Sequence, residues 1–534
     1  MNPKVAIIGS GFGMYCLLPA FSNTSGCKVV SICGKNSKRM SNFCKKFTVS
    51  HYDDWKKMLH EEKPDIIAVA VVPKYQFEII KFALENKIAV FAEKLRTGGL
   101  TISGVTRAYL DRIEALDSKL GAFQYVAKNE AMAAAEAMDK LLAAGTDLGP
   151  LMGVPIGIKD IYAVEGMPIT NGSLFDAANI TGPEGRFVTG LKQAGCIILG
   201  KTKTVEFALG ATGVNEARGT PWNPWDLSSH RTPGGSSSGS GVATAAGLCA
   251  FAMGSDTGGS VRIPACFNGI FGHKTSIGLL PTDGVFPLSP TLDTLGPLTR
   301  TAADAAIIHA IMTDSDIPLA KPLKGLRLGK PTTFFFDDLE PEVASCMELA
   351  LQSLKEAGVE IVDIEIPDPN ERDWVFPAIA PPEFLAAIGE NDFQQALPNM
   401  DPVTGARAKK GLDITGVEHA AAVIRHNQLA DLADDAFEGL DGWISPTCTF
   451  LPMAIADLSE AGAAAKSAQA SRNTQPGNIF KLCAITTPVH QFGSPLPVGL
   501  QVMCRRGFDT QALSIGLALE AHFGQVAKPD LSSI

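Results

Sequence analysis

The most informative block of this chain is PGGSSSGSGVATAAG at residues 233–247, followed by GSDTGGSVRIPA at residues 254–265. Residues 234–241 alone are compatible with a flexible Gly/Ser linker. A linker would not be followed at once by an apolar, helix-like run and a second Gly-Gly-Ser. A phosphate-binding loop is excluded because its Gly-Lys-Ser/Thr ending is missing. The block therefore indicates structured glycine loops inside a globular domain.

Ser260 is the candidate nucleophile of this block. It follows Gly258 and Gly259, whose N–H groups can approach a carbonyl oxygen closely, as an oxyanion hole requires. A hydroxyl nucleophile also needs a base. The histidines near the block, His230 and His273, lie in no recognisable triad context and are interpreted as ordinary surface or structural residues.

The upstream segment GVPIGIKD at residues 153–160 offers a different base. Lys159 lies in an apolar run that Asp160 closes. A lysine after a strand is usually a solvated strand end, but burial lowers the pKa of a lysine and leaves a neutral amine that accepts a proton. Lys159 is therefore the candidate base.

Together these segments resemble the amidase signature family over residues 95–534. Further matches are PTDGVFPLSPTLDTLGP at residues 281–297, ISPT at 444–447 and LPVGLQV at 496–502. The resemblance implies an α/β fold with a mixed central sheet surrounded by helices. It also implies hydrolysis of a carboxamide to a carboxylate and ammonia or an amine, with no metal and no cofactor required.

The family's Ser-cis-Ser-Lys triad carries over to three residues. By the resemblance, Lys159 is the base, Ser236 in a cis peptide is the proton relay, and Ser260 forms the acyl-enzyme. The implied oxyanion donors are the backbone N–H groups of Thr257, Gly258, Gly259 and Ser260. The charged pair implied to support the nucleophile loop is Asp256 and Arg262.

Departures from the family pattern bear on the substrate. The run at residues 261–264 lacks the glutamine expected in the A subunit of the glutamyl-tRNA amidotransferase, which favours a stand-alone amidase. A protein like that A subunit remains the alternative. Acyl specificity is expected from residues 331–470 and 472–480.

Residues 1–94 form a second, different segment. Residues 1–95 hold 14 Lys and Arg against 8 Asp and Glu, whereas the whole chain has a net charge of -10. Apolar strand candidates alternate with helical patterns, which predicts a parallel sheet of βαβ units. The strand candidates are residues 5–8, 28–33, 66–72 and 88–91.

The glycines Gly9, Gly11 and Gly13 follow the first strand and are candidate residues of a dinucleotide-binding loop. Residues 1–94 resemble the Rossmann part of the Gfo/Idh/MocA oxidoreductases, but Leu95 replaces the proline of their Glu-Lys-Pro motif. Basic residues after the second strand favour NADP over NAD. The substrate domain of such an oxidoreductase is absent, so the segment is expected to be vestigial or an artificial fusion. An NADP-regulated or bifunctional hydrolase/oxidoreductase stays open.

The composition of the chain limits the kinds of partner that we expect it to bind. With 46% apolar and 19% charged residues, the 534-residue chain can bury a large core, and its acidity argues against a nucleic-acid surface. No signal peptide or membrane-spanning run is recognised, and 11 scattered cysteines favour a reducing cytosol. We expect a small-molecule amide as the partner, neither nucleic acid nor membrane, and leave a homodimer open.

Overall fold

The structure is a computed structural model that describes residues 3–9, 17–22, 27–35, 38–69, 89–91, 100–524 and 526–534. It contains two compact units. The first comprises Met1–Val105 and Asp139–Gly145, and the second comprises Thr106–Met138 and Thr146–Ile534. The predicted loop glycines Gly11 and Gly13, and the junction at Leu95, lie outside the described residues.

The first unit contains a parallel sheet, as its alternating pattern predicts. Its strands are β1 (Lys4–Ile8), β2 (Lys28–Cys33), β3 (Ser50–Tyr52), β4 (Ile66–Val69) and β5 (Ala89–Phe91), in the order β3-β2-β1-β4-β5, with helices α1 (Leu18–Ser22), α2 (Lys38–Phe47) and α3 (Trp55–Glu62). Val5 and Ile7 pack into one apolar cluster, while Ala6 and Ile8 pack into another. Strand β1 is therefore buried on both faces, as parallel sheets require.

The strands of the second unit are β6 (Phe123–Val126), β7 (Pro155–Lys159), β8 (Ile197–Thr202), β9 (Phe251–Asp256), β10 (Phe271–Lys274), β11 (Thr294–Thr299), β12 (Arg327–Pro331), β13 (Glu360–Ile364), β14 (Gly442–Pro446), β15 (Cys483–Pro488) and β16 (Gly499–Cys504). They form a mixed sheet in the order β13-β12-β14-β16-β15-β10-β11-β9-β7-β8-β6.

The helices after the first unit's sheet surround this mixed sheet or connect its strands. They are α4 (Ile102–Leu120), α5 (Lys128–Ala143), α6 (Ala178–Thr181), α7 (Arg186–Gln193), α8 (Ser238–Ala245), α9 (Arg262–Asn268), α10 (Ala302–Thr313), α11 (Pro341–Glu356), α12 (Arg372–Ile388), α13 (Glu390–Ala396), α14 (Pro402–Lys409), α15 (Gly416–Asp435), α16 (Glu460–Ala470), α17 (Gln475–Ile479) and α18 (Asp509–Phe523). Among the described residues, no helix is both long and apolar enough to cross a membrane.

The centre of the mixed sheet positions the catalytic candidates. Strand β7 reads PIGIK, is buried along its whole length, and pairs in parallel with β8 and β9. Parallel strands end at the same edge of a sheet, so Lys159 at the end of β7 lies beside the loop that follows β9. Glycine allows the buried helices α8 and α9 to meet closely, because a Cβ at Gly241 would lie 2.7 Å from Asn268 Nδ2.

A buried ion pair joins the edge of β7 to β8. Lys201 Nζ lies 2.8 Å from Asp160 Oδ1, and both side chains are 0% exposed. We expect Lys201→Met to lower the free energy of unfolding by about 3–5 kcal/mol, because Asp160 is left as an unpaired buried charge. Urea unfolding of the full chain measures this.

Lys192→Met is the matched control, because Lys192 is 37% exposed where it pairs with Glu184. Its loss should stay below about 1 kcal/mol, as for other exposed pairs. Equal losses in the two variants would show that burial does not determine the contribution of these pairs.

Candidate active site

Two of the predicted catalytic residues meet at the end of β7. Lys159 Nζ lies 2.6 Å from Ser236 Oγ and 2.9 Å from Ser255 Oγ. Lys159 and Ser236 are both 0% exposed. Ser255, on the neighbouring strand β9, is a partner that the sequence analysis missed. The amine is therefore held between two hydroxyl groups inside the protein.

The Ser236 loop lies against the loop of the nucleophile. The Gly235–Ser236 peptide bond is cis, as the family resemblance implies. The N–H of Ser237 donates to the carbonyl oxygen of Ser260 at 3.3 Å. Ser260 is 8% exposed, so of the three residues of the predicted triad it alone can reach a ligand in solvent.

Burial sets the charge of the candidate base. It lowers the pKa of Lys159 to about 7, against the opposing effect of the carboxylates of Asp293 and Asp256. A substantial fraction of the amine is thus neutral at neutral pH. A neutral amine can accept a proton from the Ser236 hydroxyl.

Asp256 and Arg262 form the core of the nucleophile loop. Their side chains are 3.0 Å apart and both are 0% exposed. Asp256 also accepts hydrogen bonds from the N–H of Gly259 at 2.8 Å and from Asn478 Nδ2 at 2.9 Å. Although burial opposes its charge, the Arg262 guanidinium holds the pKa of Asp256 well below its usual range. The structure places this pair where it can fix the loop before Ser260.

The four N–H groups predicted as oxyanion donors are not equivalent. The N–H of Gly259 donates a hydrogen bond to the Asp256 carboxylate, and this hydrogen bond holds the loop in place. Thr257, Gly258 and Ser260 line the cleft and remain the candidate donors. Gly259 has φ +127°, and a Cβ there would lie 2.1 Å from Thr474 Oγ1, so only glycine fits.

A cleft opens at Ser260. Its polar lining includes Arg407 and Gln475, and the Phe376 ring supplies an apolar wall. Arg407 Nη1 donates to Ser467 Oγ at 2.9 Å. Burial, with a contribution from Arg372, lowers the pKa of Arg407 to about 10, so it stays charged at neutral pH. Arg407 and Gln475 fall within the segments predicted to determine acyl specificity.

The structure also describes three further residues that the sequence analysis considered, which are His230, His273 and Gly9. His230 stacks on Trp222 with ring centroids 4.2 Å apart, and buried His273 lies 3.3 Å from Asp509. Gly9, in the first unit, has φ +137° and donates its N–H to the carbonyl oxygen of Cys33. Within the part of the chain that the structure describes, no group of three or more His, Cys, Asp or Glu could hold a metal ion.

Comparisons with known proteins identify the family of each part of the chain. The model of the family described as Amidase matches residues 104–513, and that of the "Oxidoreductase family, NAD-binding Rossmann fold" matches residues 3–94. The protein is therefore a hydrolase that acts on amide C–N bonds. The chain belongs to the amidase signature family, and a Rossmann-like segment precedes its amidase part.

Two curated relatives illustrate the range of the family. A 2-amino-5-chloromuconic acid deaminase from Comamonas testosteroni is 37% identical over 463 residues, which cover 84% of this chain and 99% of the relative. The A subunit of the glutamyl-tRNA(Gln) amidotransferase from Acidothermus cellulolyticus is 35% identical, with 78% of this chain and 90% of the relative covered.

Solved structures show the same fold. The crystal structure of an amidase superposes with a TM-score of 0.73 at 30% identity, covering 80% of this chain and 98% of the other. The native peptide amidase from Stenotrophomonas maltophilia gives a TM-score of 0.66 at 28% identity, covering 82% and 96%.

Proposed function

We propose that the protein hydrolyses a carboxamide to a carboxylate and ammonia or an amine through an acyl-enzyme on Ser260. The observation that carries the proposal is the 2.6 Å separation of Lys159 Nζ and Ser236 Oγ in a fully buried setting. Neutral Lys159 accepts a proton from Ser236, which accepts one from Ser260 as that residue attacks the carbonyl carbon. The reaction needs no metal and no cofactor.

The later steps reverse this proton path. The candidate N–H donors of the cleft stabilise the tetrahedral oxyanion. The proton returns through Ser236 to the leaving nitrogen, so the C–N bond breaks and the acyl group stays on Ser260. Water then attacks the ester, with Lys159 again accepting the proton, and releases the carboxylate.

We further propose that the substrate carries a carboxylate in its acyl part. Arg407 lines the same cleft as Ser260, and its one hydrogen-bonded side chain, Ser467, is neutral. No ion pair among the described residues involves Arg407. A guanidinium without a carboxylate partner suits a substrate carboxylate. The related 2-amino-5-chloromuconic acid deaminase has an acid as its named substrate, which supports the same class.

Arg407→Met is expected to raise KM about 10- to 100-fold for amides that carry a carboxylate, because a hydrogen bond to a charged group is lost. Matched substrates such as succinamic acid and its methyl ester test this, with ammonia release as the readout. Arg425→Met is the control, because Arg425 pairs with Glu371. An equal loss on the neutral ester would contradict the carboxylate assignment.

The same screen tests the function itself. Release of ammonia or amine by the chain alone, without a second protein, supports a stand-alone amidase over the alternative of an amidotransferase component. Failure to hydrolyse any aliphatic, aromatic or peptide amide would contradict the proposal.

A second candidate function rests on the first unit, because its sheet and its family match are those of a nucleotide-binding fold. If the first unit has this function, NADP binds to it in preference to NAD and changes the rate of amide hydrolysis. Calorimetry with both nucleotides, followed by turnover with each present, separates this regulated hydrolase from a vestigial segment.

A further inference from the structure

A second cavity lies beside a hydroxyl neighbour of the candidate base. Ser255, the hydroxyl neighbour of Lys159, is part of its wall. Most of the remaining wall is apolar. Asp293, directly before β11, contributes the one carboxylate among the residues that line it. A carboxylate in such a wall calls for a physical explanation.

Asp293 is hydrogen-bonded to the segment that leads to the nucleophile Ser260. Its Oδ1 accepts a hydrogen bond from Thr257 Oγ1 at 2.5 Å, and its Oδ2 accepts one from the N–H of Ser289 at 2.9 Å. Thr257 directly follows β9 and begins the loop that ends at Ser260. The carboxylate therefore ties this loop to the start of β11.

Asp293 also acts on Lys159 through its charge. Of the two carboxylates that affect the pKa of Lys159, Asp256 is already paired with Arg262, and Asp293 is the larger influence. The other titratable groups facing Asp293 are the Tyr162 hydroxyl, which donates to the carbonyl oxygen of Gly254, and Glu383 on α12.

Glu383 belongs to the same hydrogen-bonded segment. It accepts hydrogen bonds from the hydroxyl groups of Ser289 and Thr291, and its own carboxylate lies 3.8 Å from His419. It does not contribute to the pKa of Lys159 among the influences described. Glu383 is therefore a second carboxylate of the same network, and its charge acts on Asp293.

We propose that Asp293 is a positioning residue of the amidase reaction with two separable roles: its hydrogen bond holds Thr257, and its negative charge controls how readily Lys159 releases its proton. The inference rests on the proposed function, in which neutral Lys159 is the base. Burial raises the pKa of Asp293 to about 7, so it and Lys159 lose their protons in the same pH range as a coupled pair.

The sign of the charge effect follows from electrostatics. A negative Asp293 stabilises the ammonium form of Lys159 and so raises the pKa of the base. Without that charge Lys159 stays neutral to lower pH. The acid limb of the profile of kcat/KM against pH then moves to lower pH.

Two variants separate the roles. Asp293→Asn removes the charge but keeps an oxygen that can accept from Thr257, although the N–H of Ser289 loses one acceptor. It is expected to move the acid limb down by about one pH unit. Thr257→Val removes the hydrogen bond and keeps the charge. It is expected to lower kcat about tenfold at every pH, through loss of a hydrogen bond to a charged group. Because the carboxylate of Asp293 stays, the limb is expected to move less than in Asp293→Asn.

Glu383→Gln is the matched control for charge. Because Glu383 acts on Asp293 and is not among the influences on Lys159, the expected displacement of the limb is smaller than in Asp293→Asn. Thermal unfolding of each variant confirms that the fold is kept. An active wild type together with an unmoved limb in Asp293→Asn, or a limb displaced equally in Thr257→Val, would overturn the inference alone. A wild type that hydrolyses no amide overturns the proposed function instead.

Discussion

Ser260→Ala is expected to lower amide turnover about a million-fold, leaving only the rate that the oxyanion donors and substrate binding provide. The reason is that the acyl-enzyme can no longer form. Ser236, the neighbouring hydroxyl of the proposed relay, is 0% exposed and cannot replace Ser260 in the cleft. Ammonia release under saturating substrate, with intact-protein mass spectrometry for the acyl adduct, measures the effect.

Ser228→Ala is the control for this variant, because Ser228 is exposed and donates its hydrogen bonds to Asp226. Its turnover should equal that of the wild type. Substantial activity in Ser260→Ala, or an acyl adduct that persists in it, would show that the nucleophile lies elsewhere.

Lys159→Met is expected to lower kcat/KM by at least about 10²- to 10⁴-fold, the range for loss of a general base. Methionine fills much of the same volume without an amine, so Ser236 loses its proton acceptor. In the wild type the rate should fall as pH drops through about 7, because the pKa of Lys159 is lowered to that value by burial and protonation removes the base. This limb should disappear in Lys159→Met.

Lys201→Met is the matched control, since Lys201 is another buried lysine on the adjacent strand β8. It should lose stability but keep its turnover per folded molecule. A near-native rate across the pH range in Lys159→Met would contradict the assignment of the base.

The catalytic candidates could be predicted because each stands in a short motif. The GVPIGIKD segment predicted a strand over residues 154–158 with Lys159 after it, and β7 at Pro155–Lys159 confirms the strand and includes the lysine. Ser255 was not predicted, because its contact with Lys159 depends on the parallel pairing of β7 with β9. Asp293 was not predicted either, since only the fold brings the start of β11 to the same place.

Arg407 carried no signal in the sequence. It stands in the run ARAK at the end of α14, where basic residues are typical of a solvated helix face. The Gly259 N–H was assigned to the oxyanion by resemblance, whereas in the structure Asp256 accepts it. Both outcomes depend on side-chain directions that a motif does not specify.

The fold could be predicted in part. In the first unit the parallel sheet is confirmed, but β3, with the polar sequence SHY, was missed because it lacks an apolar pattern. In the second unit the α/β class is confirmed. Its strand order could not be read from the sequence, because β10 lies between β11 and the distant β15.

The central claim is that Lys159 and Ser236 activate Ser260 as a nucleophile, and labelling with a fluorophosphonate tests it without knowledge of the substrate. Such a probe phosphonylates an activated serine, and peptide mass spectrometry locates the label. The account predicts labelling of Ser260 in the wild type, none in Ser260→Ala, and much slower labelling in Lys159→Met. Labelling of another residue, or an equal rate in Lys159→Met, would contradict it.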